Sequence, residues 1–293
     1  MTRFASSIAR KEKGPRHSSR RNMELTILNL FTVDLIQLCA RRGMILIVRT
    51  LTISSYVHSS DSLRYWDLYE NKFIRFFKGH VGTVTCLDVH QYEDLFLSSS
   101  IDRTSLLWDL RKEKPIARIP SRGFPTSGFD NQGLVFAVSA GDQKIHLFDS
   151  RNFDKGEFTF FDLSRYINDP NADITKVLFS PCGKFILVST TTGQLFSVDS
   201  FKGLLVGSYQ SDVPVDAVPC FSPDTQYVLC GSESGEINVF RSSGDTEDPQ
   251  RRCDIVSRLE GHSAFPRHVL FNPTRCMVAS ACVDVALWIP RNM

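Results

Sequence analysis

The chain has 293 residues, 42% of them hydrophobic and 23% charged, the composition of a globular protein with room for one or two domains. Its formal net charge of +2 is unevenly placed, because residues 1–22 carry seven Lys or Arg against one Glu and leave the rest at about −4. A mildly acidic body excludes the broad basic footprint of a nucleic-acid binder.

Residues 1–22 read as a disordered basic tail, with a nuclear localisation signal or an organelle transit peptide as alternatives. Lys11-Glu12-Lys13-Gly14-Pro15 breaks an amphipathic helix and weakens the transit reading. Residues 23–55 form a divergent apolar segment interrupted by Asp34, Arg41, Arg42 and Arg49. Their longest uncharged run before Val48, Leu25–Val33, is far shorter than the ~20 residues of a spanning helix. Met44–Val48 and Thr50–Ile53 are candidate strands, while Leu25–Ala40 equally suits a short helix. No repeat signature is visible here.

From Tyr56 onward the sequence repeats a strand, a turn rich in Pro, Asp, Gly or Asn, a strand ending in small residues, and a third strand with a bulky anchor. Frequent Phe, 22 residues in all, also favours strands. The anchors are Trp66, Trp108, Phe148, Val198, Phe240 and Trp288, at spacings of 42, 40, 50, 42 and 48. The two long intervals contain polar insertions at Asp162–Asp173 and Ser242–Arg252, which loops tolerate. The eight cysteines, Cys39, Cys86, Cys182, Cys220, Cys230, Cys253, Cys276 and Cys282, form no C-x-x-C pair. No zinc or redox motif is therefore written, no cofactor is expected, and reduced intracellular thiols are the reading.

The clearest unit runs from Gly79-His80 through Ser98 and Asp102 to Trp108-Asp109, and it resembles the WD-repeat family. A repeat of 40–45 residues is the blade length of such β-propellers. The expected fold is all-β: five clear blades and a partial one from residues 56–293, with early blades missing or replaced at the N-terminus. The outer strand of the last blade is expected from residues 23–55. The resemblance implies that His80, Ser98, Asp102 and Trp108 form a buried hydrogen-bonded tetrad. A buried indole N–H and imidazole both need partners, and an Asp supplies a charged acceptor. A hydrolase triad is the competing reading of the same residues, but Ser98 lies inside a strand rather than at an exposed elbow. The last unit keeps Gly261-His262, Ser280, Asp284 and Trp288, with a Ser-to-Trp spacing of eight in place of ten.

Several stretches are more specific: Arg64-Tyr65 with Glu70–His80, Ser150–Phe158, Asp199-Ser200-Phe201-Lys202-Gly203, and Ala279–Cys282 with Leu287-Trp288-Ile289-Pro290. Together they resemble the Swd-two/WD-repeat-82 family, from about Tyr56 to Pro290. That resemblance implies a nuclear, non-catalytic scaffold of a complex that methylates histone three at lysine four. It also implies partners in a protein-phosphatase-one assembly and in the phosphorylated tail of RNA polymerase II, with no sequence-specific nucleic acid and no membrane. Loops carry the candidate contacts. Arg151, Phe153, Asp154, Lys155 and Phe158 suit a partner peptide, although Phe153 and Phe158 equally suit packing onto their own blade. Arg103, Arg111, Arg122 and Lys144 lie in or near turns, where a phosphorylated peptide would find cations. Trp108-Asp109-Leu110-Arg111 also resembles the box by which WD-repeat substrate receptors join cullin-type ubiquitin ligases, with Asp109 and Arg111 as the contacts.

Overall fold

The computed structural model describes residues 63–67, 72–209, 214, 217–243, 251–273 and 275–290, with strand segments at 4–5, 39–41 and 44–48. Strand β1 is Phe4–Ala5. The first sheet holds β2 (Cys39–Arg41), β3 (Met44–Val48), β4 (Leu63–Asp67) and β5 (Lys72–Phe77). The second holds β6 (Val84–Val89), β7 (Leu95–Ser100), β8 (Thr104–Asp109) and β9 (Ala117–Pro120). The third holds β10 (Thr126–Phe129), β11 (Val135–Ser139), β12 (Lys144–Asp149) and β13 (Thr159–Asp162).

The fourth sheet is β14 (Ile174–Phe179), β15 (Phe185–Thr190), β16 (Leu195–Asp199), β17 (Leu205–Tyr209) and, from later in the chain, a fifth strand at Arg252–Cys253. The fifth is β18 (Cys220–Phe221), β19 (Tyr227–Gly231), β20 (Ile237–Arg241) and, after the short β21 (Arg252–Cys253), β22 (Ile255–Leu259). The sixth is β23 (His268–Phe271), β24 (Val278–Ala281), β25 (Val285–Pro290) and, pairing with β25, β1. The chain divides into two compact units, residues 14–161 and residues 1–13 with 162–293, each holding three sheets.

Three N-terminal segments thus become sheet strands. Met44–Val48, expected as a strand, is one, and with Cys39–Arg41 it completes the sheet of Trp66. The fourth strand of the last sheet comes from Phe4–Ala5, opposite Ile289 and Pro290, and not from residues 23–55. The candidate strand Thr50–Ile53 lies outside the described residues.

Within each unit the core lies between neighbouring sheets. Leu63 and Phe77 of the first sheet pack with Leu87, Phe96, Leu106 and Trp108 of the second. In the other unit, Leu229, Ile237 and Val239 of the fifth sheet pack with Val269, Val278 and Trp288 of the sixth. The middle strands are covered on both faces, which is why β7 and β8 read as runs of Leu, Phe and Ser rather than as alternating patterns. The outer strands alternate, as in β9 and β22, since one of their faces meets water.

All six anchors sit on the third strand in one register. In backbone register Trp66 stands opposite Ile45, Trp108 opposite Phe96, Phe148 opposite Phe136, Val198 opposite Ile186, Phe240 opposite Val228 and Trp288 opposite Val278. The period of the sequence is the period of this cross-strand pair, the unit of sheet stabilisation. The Ser242–Arg252 insertion ends in β21, which pairs in parallel with the free edge of β17 through Ser208↔Arg252 and Tyr209↔Cys253. The buried Tyr209 hydroxyl donates to the Ser242 carbonyl at 2.6 Å and fixes the start of that excursion.

Candidate functional site

The second sheet builds a buried polar chain from three elements. Trp108 on β8 donates its indole N–H to Ser98 Oγ on β7 at 2.8 Å. Ser98 Oγ lies 2.7 Å from His80 Nε2, and His80 Nδ1 lies 3.0 Å from Asp102 Oδ2 in the β7–β8 hairpin. Since the indole can only donate, the direction runs Trp108 to Ser98 to His80 to Asp102, with the imidazole hydrogen on Nδ1. Gly79 lets the loop pass over the ring, because a Cβ there would sit 2.7 Å from Trp108 Cη2.

Burial lowers the His80 pKa, against the hydrogen bond and charge of Asp102, so the imidazole stays neutral. Burial alone would raise the Asp102 carboxyl. The Thr104 hydroxyl at 2.6 Å, the Val81 N–H at 2.9 Å and His80 outweigh it and bring the group down to about 2. The residue types are those of a hydrolase triad, but the chemistry is closed. Ser98 is fully buried, and its oxygen already receives the Trp108 N–H. The arrangement ties a loop, a strand and a hairpin together.

In the last sheet Trp288 Nε1 donates to Ser280 Oγ at 2.7 Å, and His262 Nε2 lies 2.6 Å from that oxygen. The partner of His262 Nδ1 is Cys282 Sγ, at 3.0 Å, where the sequence pointed to Asp284. The cause is hairpin length. Here Ala281 pairs with Val285, one pair closer to the Ser than the Ser100–Thr104 closure of the second sheet. Asp284 therefore becomes the last loop residue, exposed, and Cys282 the first. The shorter hairpin also accounts for the Ser-to-Trp spacing of eight.

The loop candidates fall at one kind of position, the turn leaving a third strand. Asp109 Oδ1 accepts from the Arg111 N–H at 2.9 Å and from Arg111 Nε at 3.3 Å, and the Arg111 side chain is 76% exposed. Asp149 Oδ1 accepts from the Arg151 N–H at 2.8 Å, and Asn152 Nδ2 donates to Asp149 Oδ2. Bonds from Asn152 and Arg151 hold the Asp149 carboxyl below the usual range. In the other unit Asp199 caps Phe201 and Lys202 in the same way. Such Asp turns are local backbone devices that set the loop's shape.

After Asp149 the chain forms a 3₁₀ turn, Phe153–Lys155, with Asp154 and Lys155 exposed. Phe153 packs against the core between the second and third sheets, whereas Phe158 is 59% exposed. Arg103 is exposed at the end of the β7–β8 hairpin, in a left-handed conformation. Thus the structure gathers the tetrad into one chain and spreads the loop candidates over two neighbouring turns and a hairpin.

Sequence reading missed a cleft of about 1240 Å³ in the unit of the last three sheets, lined by Arg165, Tyr166, Gln194, Ser232, Arg251 and Arg258 among others. Arg258 lies 3.7 Å from Glu236 on its wall. These arginines come from separate loops and a strand, so no local motif announces them. Among the described residues, no group of three or more His, Cys, Asp or Glu is placed to hold a metal ion.

Residues 71–109 match the WD domain, G-beta repeat family. The chain is 36% identical over 260 residues to WD repeat-containing protein 82 of Drosophila melanogaster, covering 85% of this chain and 78% of the relative. It is 30% identical over 236 residues to COMPASS component SWD2 of Saccharomyces cerevisiae, covering 78% and 70%. It is 31% identical over 202 residues to Set1 complex component swd2 of Schizosaccharomyces pombe, covering 64% and 56%.

Proposed function

The chain belongs to the family of WD-repeat β-propellers that includes WD repeat-containing protein 82 and COMPASS component SWD2, and from that membership we propose that it is a non-catalytic docking subunit of a Set1/COMPASS-type histone methyltransferase complex. The observation that carries this reading is similarity along most of the chain to two relatives named as components of such complexes. The closed chemistry of the tetrad supports the non-catalytic part, because its Ser and His are spent on structure. Work at chromatin in this reading implies a nuclear protein.

Two finer partners follow in the same proposal. A phosphatase-one assembly would use the docking turn at Asp149–Phe158. The phosphorylated tail of RNA polymerase II suits a cleft edged by Arg165, Arg251 and Arg258, since guanidinium groups pair well with phosphate. Affinity purification of the tagged chain from nuclei, with identification of its partners, tests the reading. Methyltransferase subunits are expected. Recovery of a cullin adaptor without methyltransferase or phosphatase subunits would sink it.

One observation favours a second reading, the ubiquitin-ligase receptor. The Arg111 guanidinium projects 76% exposed from its Asp109 turn, as a contact residue should. Arg111→Glu separates the two readings: loss of cullin association supports the receptor, and intact methyltransferase association supports the scaffold.

A further inference from the structure

Four connections meet at one end of the second and third sheets, within the unit of residues 14–161: residues 78–83 before β6, the β7–β8 hairpin, residues 121–125 before β10 and the β11–β12 hairpin. Hydrogen bonds join them. The Val81 N–H donates to Asp102 Oδ2 at 2.9 Å, and the Ile101 N–H to the Thr83 carbonyl at 3.0 Å. The Ser121 N–H donates to the Arg103 carbonyl at 2.8 Å, and the Arg122 N–H to the Ala140 carbonyl at 2.9 Å. On this fixed floor stand three apolar side chains where turns ordinarily carry polar ones: Val81 at 86% exposed, Ile101 at 46% and Phe124 at 54%. Lys78, Arg103 and Arg122 are exposed in the same connections. The carboxylates there are engaged, Asp102 with His80 and Asp142 toward Lys144 and His146. Among the described residues neither Arg103 nor Arg122 has a carboxylate partner. Arg103 holds its place at the hairpin in a left-handed conformation, φ 63°, that glycine would adopt without strain.

We propose that this end of the unit is a docking surface for an extended protein segment in which carboxylates flank apolar side chains. Charge decides the first half: the exposed groups are cationic and the local acids are spent within the protein, so an acidic chain is attracted and a basic one repelled. The apolar residues decide the second. Val81 and Ile101 are aliphatic and give nucleic-acid bases no stacking platform, so the surface suits a peptide rather than RNA. The tetrad gains a further use here. By holding the Val81 N–H and His80 through Asp102, it sets the loops before a partner arrives and spares part of the ordering cost of binding. The turns at Asp109 and Asp149 lie at the opposite end of the same strands, so the two surfaces are separate. The surface belongs to this unit alone and stands whichever complex the chain enters.

Random peptides displayed on phage, selected on the immobilised full chain, test the proposal. The leading peptides are then synthesised and titrated by fluorescence anisotropy. Peptides in which Asp or Glu flanks Leu, Ile or Phe are expected to emerge. Arg103→Glu combined with Arg122→Glu should weaken them about tenfold, because two attractive pairs become repulsive. Phe124→Ser should weaken them by about as much through lost apolar contact. Arg165→Glu, in the other unit, should leave them unchanged. The substituted side chains are exposed, so melting temperatures should match the wild type. Where Phe124→Ser lowers its own, the arginine pair carries the test. Enrichment of basic peptides, no enrichment at all, affinity unmoved by the arginine pair, or tighter binding of a uridine homopolymer RNA than of any selected peptide overturns the proposal.

Discussion

In the second sheet Trp108 stacks on Phe96 with ring centroids 5.8 Å apart and planes 7° apart; in the third, Phe148 stacks on Phe136 at 5.1 Å and 8°. The two pairs occupy the same register, yet only the first continues into a polar chain. Where the second sheet has Ser98, the third has the buried Val138. Asp142, in the place of Asp102, lies instead within 3.6 Å of His146 and 4.0 Å of Lys144. The stack is the common requirement of both sheets, and the hydrogen-bonded chain is required only where the anchor brings an N–H that must be satisfied.

Breaking the stack should have the largest effect. Trp108→Ala, at a position 0% exposed, is expected to cost about 3–5 kcal/mol in urea denaturation. Phe148→Ala, at 7% exposed and without an indole N–H, should cost less; an equal loss would mean that the polar chain adds nothing. Ser98→Val imports the third sheet's residue and strands the Trp108 N–H and His80 Nε2, at about 1–3 kcal/mol. Combining it with Trp108→Phe removes the stranded donor, so the pair should lose less than the sum of the singles. Strict additivity would count against the directed chain.

The smallest effects are pH dependences of opposite sign. The Asp102 carboxyl sits below its unfolded value of 3.8, at about 2, so its stabilisation is complete above pH 4 and is lost as the pH falls toward 2. Asp102→Asn should flatten melting temperature across that window and cost about 1–2 kcal/mol at pH 7. Asp88, which accepts the Phe129 N–H at 2.7 Å between the second and third sheets, is pushed by burial up to about 6. Its contribution is therefore complete below pH 4 and is lost as the pH rises through 6. Asp88→Asn should remove a decline in melting temperature between those values, and a slope like the wild type's would show that the carboxyl is not strained there.

The sequence made the repeat visible because each cross-strand stack needs one bulky residue per unit, and Trp108, Phe148 and Phe240 recur at about one or two blade lengths. His80, Ser98 and Asp102 were legible through the resemblance of Gly79–Asp109 to a WD repeat, and each finds its partner within one unit. What stayed hidden depends on pairing rather than on residue type. Phe4–Ala5 is too short to carry a pattern, and Arg252–Cys253 joins a neighbouring sheet in parallel, which no period encodes. Cys282 replaced Asp284 because the hairpin closes one pair earlier, a register choice that spacing alone cannot distinguish. The arginine-lined cleft draws on segments spread from Arg165 to Arg258 and becomes a site only when they fold together.

The excursion that ends in Arg252–Cys253 leaves the fifth sheet to lie along the fourth. Its backbone is a rung for Ser208, whose N–H donates to the Arg251 carbonyl at 2.8 Å. The fourth sheet's edge amides thus cannot open to solvent until a stretch of the fifth sheet's own connection lets go. In hydrogen-exchange terms the two sheets share a protection factor at that seam, and they should release deuterium as one foldon rather than as two.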